Sequence, residues 1–233
     1  MQNKILYIPN VPGFPKRSEQ NPPHYRHPSE RKILAENIII TTPDKIKLSG
    51  WLMKSTHDTI NAPTIVFFHE NAGNLGTRID YFAKYLHHMN LKLLVMAYRG
   101  YDSSEGKPNE EGISIDVKSI LDFAFSRKDL NPKLIFTHGR SLGGATSVCG
   151  IVDGNFPVCG VILENTFSSI DSVTKGMFPQ IFTMFNPLIL KNRWDTIKRI
   201  EKITAPILFI RSLKDEIIPD EEMQKLKAKA TAC

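Results

Sequence analysis

Gly139-Arg140-Ser141-Leu142-Gly143 sets a serine between two glycines in the pattern G-x-S-x-G. With glycine at about 7% of residues, such a pattern arises by chance on the order of 0.1 times per chain, so its surroundings must carry the argument. Leu134-Ile135-Phe136-Thr137 precedes it as a short run suited to a buried strand, and Gly143-Gly144-Ala145 opens a helix with residues small enough to approach a sheet closely. A serine on this strand–turn–helix projects its hydroxyl outward, whereas bulk at Gly139 or Gly143 collides with the adjoining strand and helix. The chemistry is nucleophilic attack by Ser141 on an acyl carbon, with the Leu142 N–H aimed at the developing oxyanion.

A second oxyanion donor belongs on the loop after an earlier strand, where Phe67-Phe68-His69-Glu70-Asn71-Ala72-Gly73-Asn74 lies; the Asn71 N–H is the candidate. Asp215, in Leu213–Pro219 after the last clear strand, is the candidate acid, and Glu164 at another strand end the weaker alternative. Taken alone, Asp215 reads equally well as a turn or helix-cap residue. The base has no candidate of equal standing. All seven histidines (His24, His27, His57, His69, His87, His88, His138) precede Ser141, although the order on this plan is serine, acid, histidine. The 18 residues after Asp215 include a helix-like Glu221–Ala230 run, too few for a further strand and histidine loop. His69 and His138 are expected to support the oxyanion loop and the serine turn, and His87-His88 to fall at the far end of a helix.

These residues need a parallel sheet to hold them. Thr64–His69, Lys92–Tyr98, Lys133–His138, Val161–Glu164 and Pro206–Arg211 are short apolar strand candidates. Between them, Leu75, Ile79, Phe82 and Leu86 share one helical face, as do Ile113, Val117, Ile120, Leu121 and Ala124. That alternation predicts an α/β fold with helices on both faces of a mostly parallel sheet. Asn37–Thr42 and Lys45–Met53, joined by Pro43-Asp44, predict an opening antiparallel hairpin. Residues 1–35 read as an extended, basic, proline-rich lead-in and 36–233 as one domain, with a helical cap over about 167–195. The cap carries Met177, Phe178, Ile181, Phe182, Met184, Phe185, Leu188 and Ile189, a lining suited to a lipophilic acyl chain or equally to packing on the core.

With 41% hydrophobic and 23% charged residues the composition is that of a globular domain, and no apolar run reaches the ~20 residues that cross a bilayer. Net charge is +6, weighted toward the lead-in, which offers contact with an anionic membrane or an acidic partner. No nucleic-acid module is present. Cys149, Cys159 and Cys233 fit neither a disulfide framework nor a metal site and read as reduced thiols, so an intracellular location is expected, cytoplasmic or peripherally membrane-associated. No cofactor or metal is called for.

Together with the serine turn, Ile5–Asn10, Thr42-Pro43-Asp44, His69–Asn74, Tyr98-Arg99-Gly100-Tyr101, Ser104-Glu105-Gly106, Glu164-Asn165-Thr166-Phe167, Asn192-Arg193-Trp194-Asp195 and Lys214-Asp215-Glu216 resemble the α/β-hydrolases of the serine-aminopeptidase-like group. Within that group the chain is similar to bud-emergence-suppressor-like proteins and α/β-hydrolase domain-containing protein 13. The resemblance implies the α/β-hydrolase fold with its C-terminal strand and helix missing. It also implies hydrolysis of a lipophilic ester, thioester or amide through an acyl-enzyme on Ser141, with Asp215 as acid and Asn71 and Leu142 as oxyanion donors. The resemblance implies that family members are often membrane-associated through an N-terminal apolar anchor, and this sequence is expected to begin just after where that anchor would end. Glu70, Asp102 and Ser212 stand where the family has glycine, and a Glu70 carboxylate aimed at the oxyanion site opposes the charge that forms there. The alternative function is a catalytically inactive α/β-hydrolase-like subunit of a larger assembly; ligand binding in a retained pocket borrows from both readings. An exposed C-terminal sheet edge is then expected to be covered by a protein partner or by the basic lead-in.

Overall fold

The computed structural model describes residues 3, 6–56, 60–177, 192–215 and 217–232. Strands β1 (Leu34–Thr41) and β2 (Lys47–Lys54) form the expected antiparallel hairpin, pairing from Leu34↔Lys54 to Thr41↔Lys47. Its turn is closed by Thr42 N–H donating to the Ile46 carbonyl and by Thr42 Oγ1–H donating to Asp44 at 2.6 Å. β2 then pairs antiparallel with β4 (Lys92–Met96). From β4 the sheet continues in parallel through β3 (Thr64–Phe68), β5 (Ile135–Arg140), β6 (Gly160–Glu164) and β7 (Ile207–Ile210). The seven strands run in the order β1-β2-β4-β3-β5-β6-β7.

Every residue of β3 and β4 is buried, as continuous apolar strands in a sheet covered on both faces must be. The covering helices are α1 (Ile79–His88), α2 (Glu110–Ser126), α3 (Leu142–Gly154), α4 (Ile170–Met177) and α5 (Asp220–Lys229). α1 starts four residues later than its apolar pattern suggests, because Leu75–Arg78 forms a 3₁₀ turn with the Asn74 side chain accepting from Thr77 N–H. α2 and α3 pack with no room to spare: a Cβ on Gly150 would lie 2.2 Å from Val117 Cγ1.

Prolines keep the 9–28 stretch of the lead-in from forming an α-helix, but it does not run extended throughout. It folds into 3₁₀ turns at Ser18–Gln20 and Pro28–Arg31 and packs against the rest of the domain. Asn21 and Asn74 exchange side-chain amide hydrogen bonds at 2.9 and 2.8 Å, and Ile8 bridges to Ala72 in parallel. Among the described residues, the lead-in therefore lies against the 71–78 stretch and β1. Among the described residues, the outer edge of β7 takes one hydrogen bond, from Ile207 N–H to the Ala232 carbonyl.

Candidate active site

Ser141 sits between β5 and α3 with φ 53° and ψ −121°, a conformation that costs a non-glycine residue on the order of 1–3 kcal/mol. Three hydrogen bonds hold it there. Ser141 N–H donates to the Glu164 carbonyl at 2.9 Å, and its own carbonyl accepts from Thr166 Oγ1–H at 2.7 Å and Gly144 N–H at 3.0 Å. The two motif glycines are steric necessities: a Cβ at Gly139 would lie 2.3 Å from the Gly143 carbonyl oxygen, and one at Gly143 only 1.9 Å from that of Phe68. β3, β5 and α3 thus converge on the serine.

Two amides beside Ser141 have no hydrogen-bond partner among the described residues. Leu142 is the first residue of α3, where an N–H has no intrahelical acceptor and the helix end favours negative charge. Asn71 is held by its carbonyl and its side-chain amide N–H. Its carbonyl accepts from Ile8 N–H (2.9 Å) and Tyr101 O–H (2.9 Å), and its side-chain amide donates to Leu6 (3.1 Å). The peptide that carries the Asn71 N–H is fixed on its other side, where the Glu70 carbonyl accepts from His69 Nδ1–H at 2.7 Å. His69 Nε2 in turn accepts from Tyr98 N–H at 3.2 Å. Burial, and then Arg78, push the His69 pKa down to about 3, so the ring is neutral with both nitrogens occupied.

Glu70 lines the cleft, but its carboxylate is held by Arg78 at 2.5 Å and Arg140 at 3.3 Å. Burial pushes its pKa up; the Arg78 guanidinium beside it outweighs this and leaves it below the usual range, so the charge is present and compensated. Arg140, the variable residue before the serine, also reaches Glu164 at 3.3 Å and lies over the Tyr81 ring. Glu164 further accepts from Tyr81 O–H at 2.7 Å and His138 Nε2–H at 3.1 Å, while His138 Nδ1 accepts from Tyr85 O–H at 2.6 Å. Burial raises the Glu164 pKa, and its bonds to His138 and Tyr81 more than reverse that. His138 is fully buried with both nitrogens engaged, and Glu164 is surrounded by donors. Neither is among the residues lining the cleft that holds Ser141.

Asp215 is disposed differently. One carboxylate oxygen accepts from Ile217 and Ile218 N–H (2.8 and 2.9 Å), a turn geometry; the other has no partner among the described residues. Ser141, Asn71, Asp215, Glu70, Arg140, Asn165, Ile217 and Ile218 line one cleft of about 160 Å³. Asn165, in a left-handed conformation at φ 44°, ties the Asp215 loop to β6: its amide donates to Ser212 Oγ at 2.9 Å and its carbonyl oxygen accepts from Ser212 N–H at 2.7 Å. Ser212 thus gives up a glycine's freedom for one more hydrogen bond. Asp102, with φ 47°, does likewise: its carboxylate accepts from Ser18 N–H and O–H and from Leu75 N–H.

The remaining histidines lie elsewhere. His24 and His27 bond within the lead-in and to β1, and His87 and His88 line a separate cleft with Lys32 and Lys54. His57 and the cap positions Phe178, Ile181, Phe182, Met184, Phe185, Leu188 and Ile189 lie outside the described residues. Arg78, Arg140 and Tyr101 were not singled out as site residues from sequence. Tyr101 and Arg140 fall inside quoted motifs, but Arg78 carries no local signal.

A sheet of this order, with a serine at the strained β5–α3 junction, defines an α/β-hydrolase fold. An esterase from Pyrococcus furiosus shares it, with a TM-score of 0.70 at 18% identity over 96% of this chain and 83% of that one. No family model matches the sequence. Among curated proteins, the α/β-hydrolase domain-containing protein WAV2 of Arabidopsis thaliana is 32% identical over 99% of this chain and 76% of its own length. Protein bem46 of Schizosaccharomyces pombe is 33% identical over 94% and 72%. The chain belongs to this bem46-like family of α/β-hydrolase-domain proteins. A third relative, from Saccharomyces cerevisiae, is 32% identical over 97% of this chain and is called an uncharacterized membrane protein. Among the described residues of the present chain, no helix is long and apolar enough to cross a membrane.

Proposed function

We propose that this chain is a serine hydrolase of an ester, thioester or amide with a lipophilic acyl group. The observation that carries the reading is the strained Ser141 sharing one cleft with Asn71 and Asp215. Ser141 Oγ attacks the acyl carbon and loses its proton to a base. The carbonyl oxygen becomes an oxyanion between the Leu142 and Asn71 N–H groups, each worth about 3–4 kcal/mol in such sites. The leaving group departs protonated, and water releases the acyl group by the same steps in reverse order. Asp215 orients the base, which is a histidine other than those described. The lipophilic preference rests on the Met and Phe content of 177–189.

A second reading, an inactive subunit of a larger assembly, is favoured by one observation: none of the described histidines lines the Ser141 cleft. A fluorophosphonate probe on the folded natural protein separates the two. The hydrolase predicts labelling that Ser141→Ala abolishes; a folded protein without Ser141-dependent labelling sinks it.

Two associations complete the proposal. A protein partner covers the β7 edge, where Leu208 and Ile210 are exposed alongside Leu213 and Ile217. The basic lead-in contributes peripheral contact with an anionic membrane, although Arg17, Arg26 and Arg31 already have carboxylate neighbours.

A further inference from the structure

Residues 6–8 are far from Ser141 in sequence and contribute nothing to the lining of its cleft. Nonetheless they hold the candidate oxyanion loop by three hydrogen bonds. Ile8 N–H donates to the Asn71 carbonyl at 2.9 Å, and Gly73 N–H donates to the Ile8 carbonyl at 3.1 Å, so residues 71–73 are clasped from both sides of Ile8. The Asn71 side chain adds its bond to the Leu6 carbonyl at 3.1 Å. Tyr7, between them, is 2% exposed. Its hydroxyl accepts from Trp194 Nε1–H at 3.0 Å and donates to Asn192 Oδ1 at 3.2 Å. Trp194 is itself fully buried, and Asn192 Oδ1 also accepts from Glu110 N–H at 2.8 Å, the start of α2. The clasp is therefore anchored in the body of the domain.

We infer that Leu6-Tyr7-Ile8 is a positioning element of the active site: by holding the Asn71 carbonyl and side chain, it fixes the loop that carries the candidate oxyanion donor, the Asn71 N–H. This rests on the hydrolase reading for its catalytic consequence and on the hydrogen bonds alone for its structural one. Arg78 and Tyr101 support the same loop from the opposite side, Arg78 through the Ala72 and Asn74 carbonyls at 2.5 and 2.6 Å. The loop is thus shared between the Arg78 and Tyr101 side chains and the lead-in. A residue that merely packs would lower stability without selectively moving the Asn71 amide.

Two variants of the full chain test this, Ile8→Pro, which removes the N–H donated to Asn71, and Tyr7→Phe, which keeps the ring and loses both anchoring bonds. Hydrogen exchange is read first. The Gly73 amide, which donates to the Ile8 carbonyl, is expected to exchange faster by on the order of fivefold or more, with β3 and β5 amides unchanged. Labelling kinetics are read second, where Ser141 phosphonylation is expected to slow by about tenfold in its maximal rate, with the half-saturating probe concentration unmoved. Unchanged exchange at Gly73 in Tyr7→Phe overturns the inference, even if Ile8→Pro fails to fold. So does a loss that falls on probe binding alone. If the unaltered chain does not label at all, the hydrolase reading is what fails, and the exchange result still decides the clasp.

Discussion

His69 shows how one side chain links the chemistry of the site to the acid stability of the whole domain. Its ring is buried neutral, with a folded pKa lowered to about 3 against about 6.5 in an unfolded chain. A depressed folded pKa favours proton uptake by the unfolded state. The stability His69 lends is therefore intact above about pH 6.5 and is lost as pH falls toward 3. Between pH 7 and 5 this amounts to about 2 kcal/mol for His69 alone. Urea unfolding at the two pH values is expected to show that loss in the natural chain. His69→Asn, which is less stable at pH 7 but does not titrate, is expected to show a drop smaller by about this amount. Equal drops in both proteins would exclude a neutral buried His69. Glu70 behaves as its counterpart: its charge, worrying on sequence grounds, is held between Arg78 and Arg140. Arg78→Ala is expected to lower Ser141 labelling, because it frees both the Glu70 carboxylate and the Ala72 and Asn74 carbonyls.

At the level of elements, the serine turn depends on three backbones meeting at Gly143. Placing a Cβ 1.9 Å from the Phe68 carbonyl oxygen forces β3 and α3 apart, and Gly143→Ala is expected to cost about 2–4 kcal/mol in chemical denaturation. A cost under about 0.5 kcal/mol would contradict the close approach. The parallel strands were legible in sequence because continuous apolar runs leave few alternatives, and all five candidates are strands within a few residues of their expected bounds. β1 begins three residues before its expected start at Asn37, since Leu34, Glu36 and Asn37 are exposed and the apolar alternation sets in only at Ile38. The motif likewise announced Ser141 and its two glycines. What stayed hidden were contacts that only the fold creates: Arg78 with Glu70, Asn165 with Ser212, and Tyr7 with Trp194. Each joins residues whose types alone permit many other partners.

For the whole molecule, the sheet presents two unlike borders. β1 faces outward beside a lead-in that packs down on the domain, whereas β7 leaves Leu208 and Ile210 more than two-fifths exposed. Apolar edges of this kind promote association, so replacing both residues by lysine is expected to reduce self-association in sedimentation velocity without altering the circular dichroism spectrum. If the substituted and natural chains sediment alike, the edge is not what drives contact.

The hydrogen bond between Tyr7 and Trp194 spans 187 positions of the chain. During synthesis from the N-terminus it cannot form until Trp194 has left the ribosome, by which time β1 to β6 and the serine turn have already emerged. Residues 6–8 are therefore anchored only after most of the strands that follow them have emerged. Long-range closures of this kind are slow. A nascent chain can thus hold Ser141 at its turn while Tyr7, between the residues that clasp 71–73, still lacks its anchor at Trp194, so the order of synthesis itself delays completion of the site.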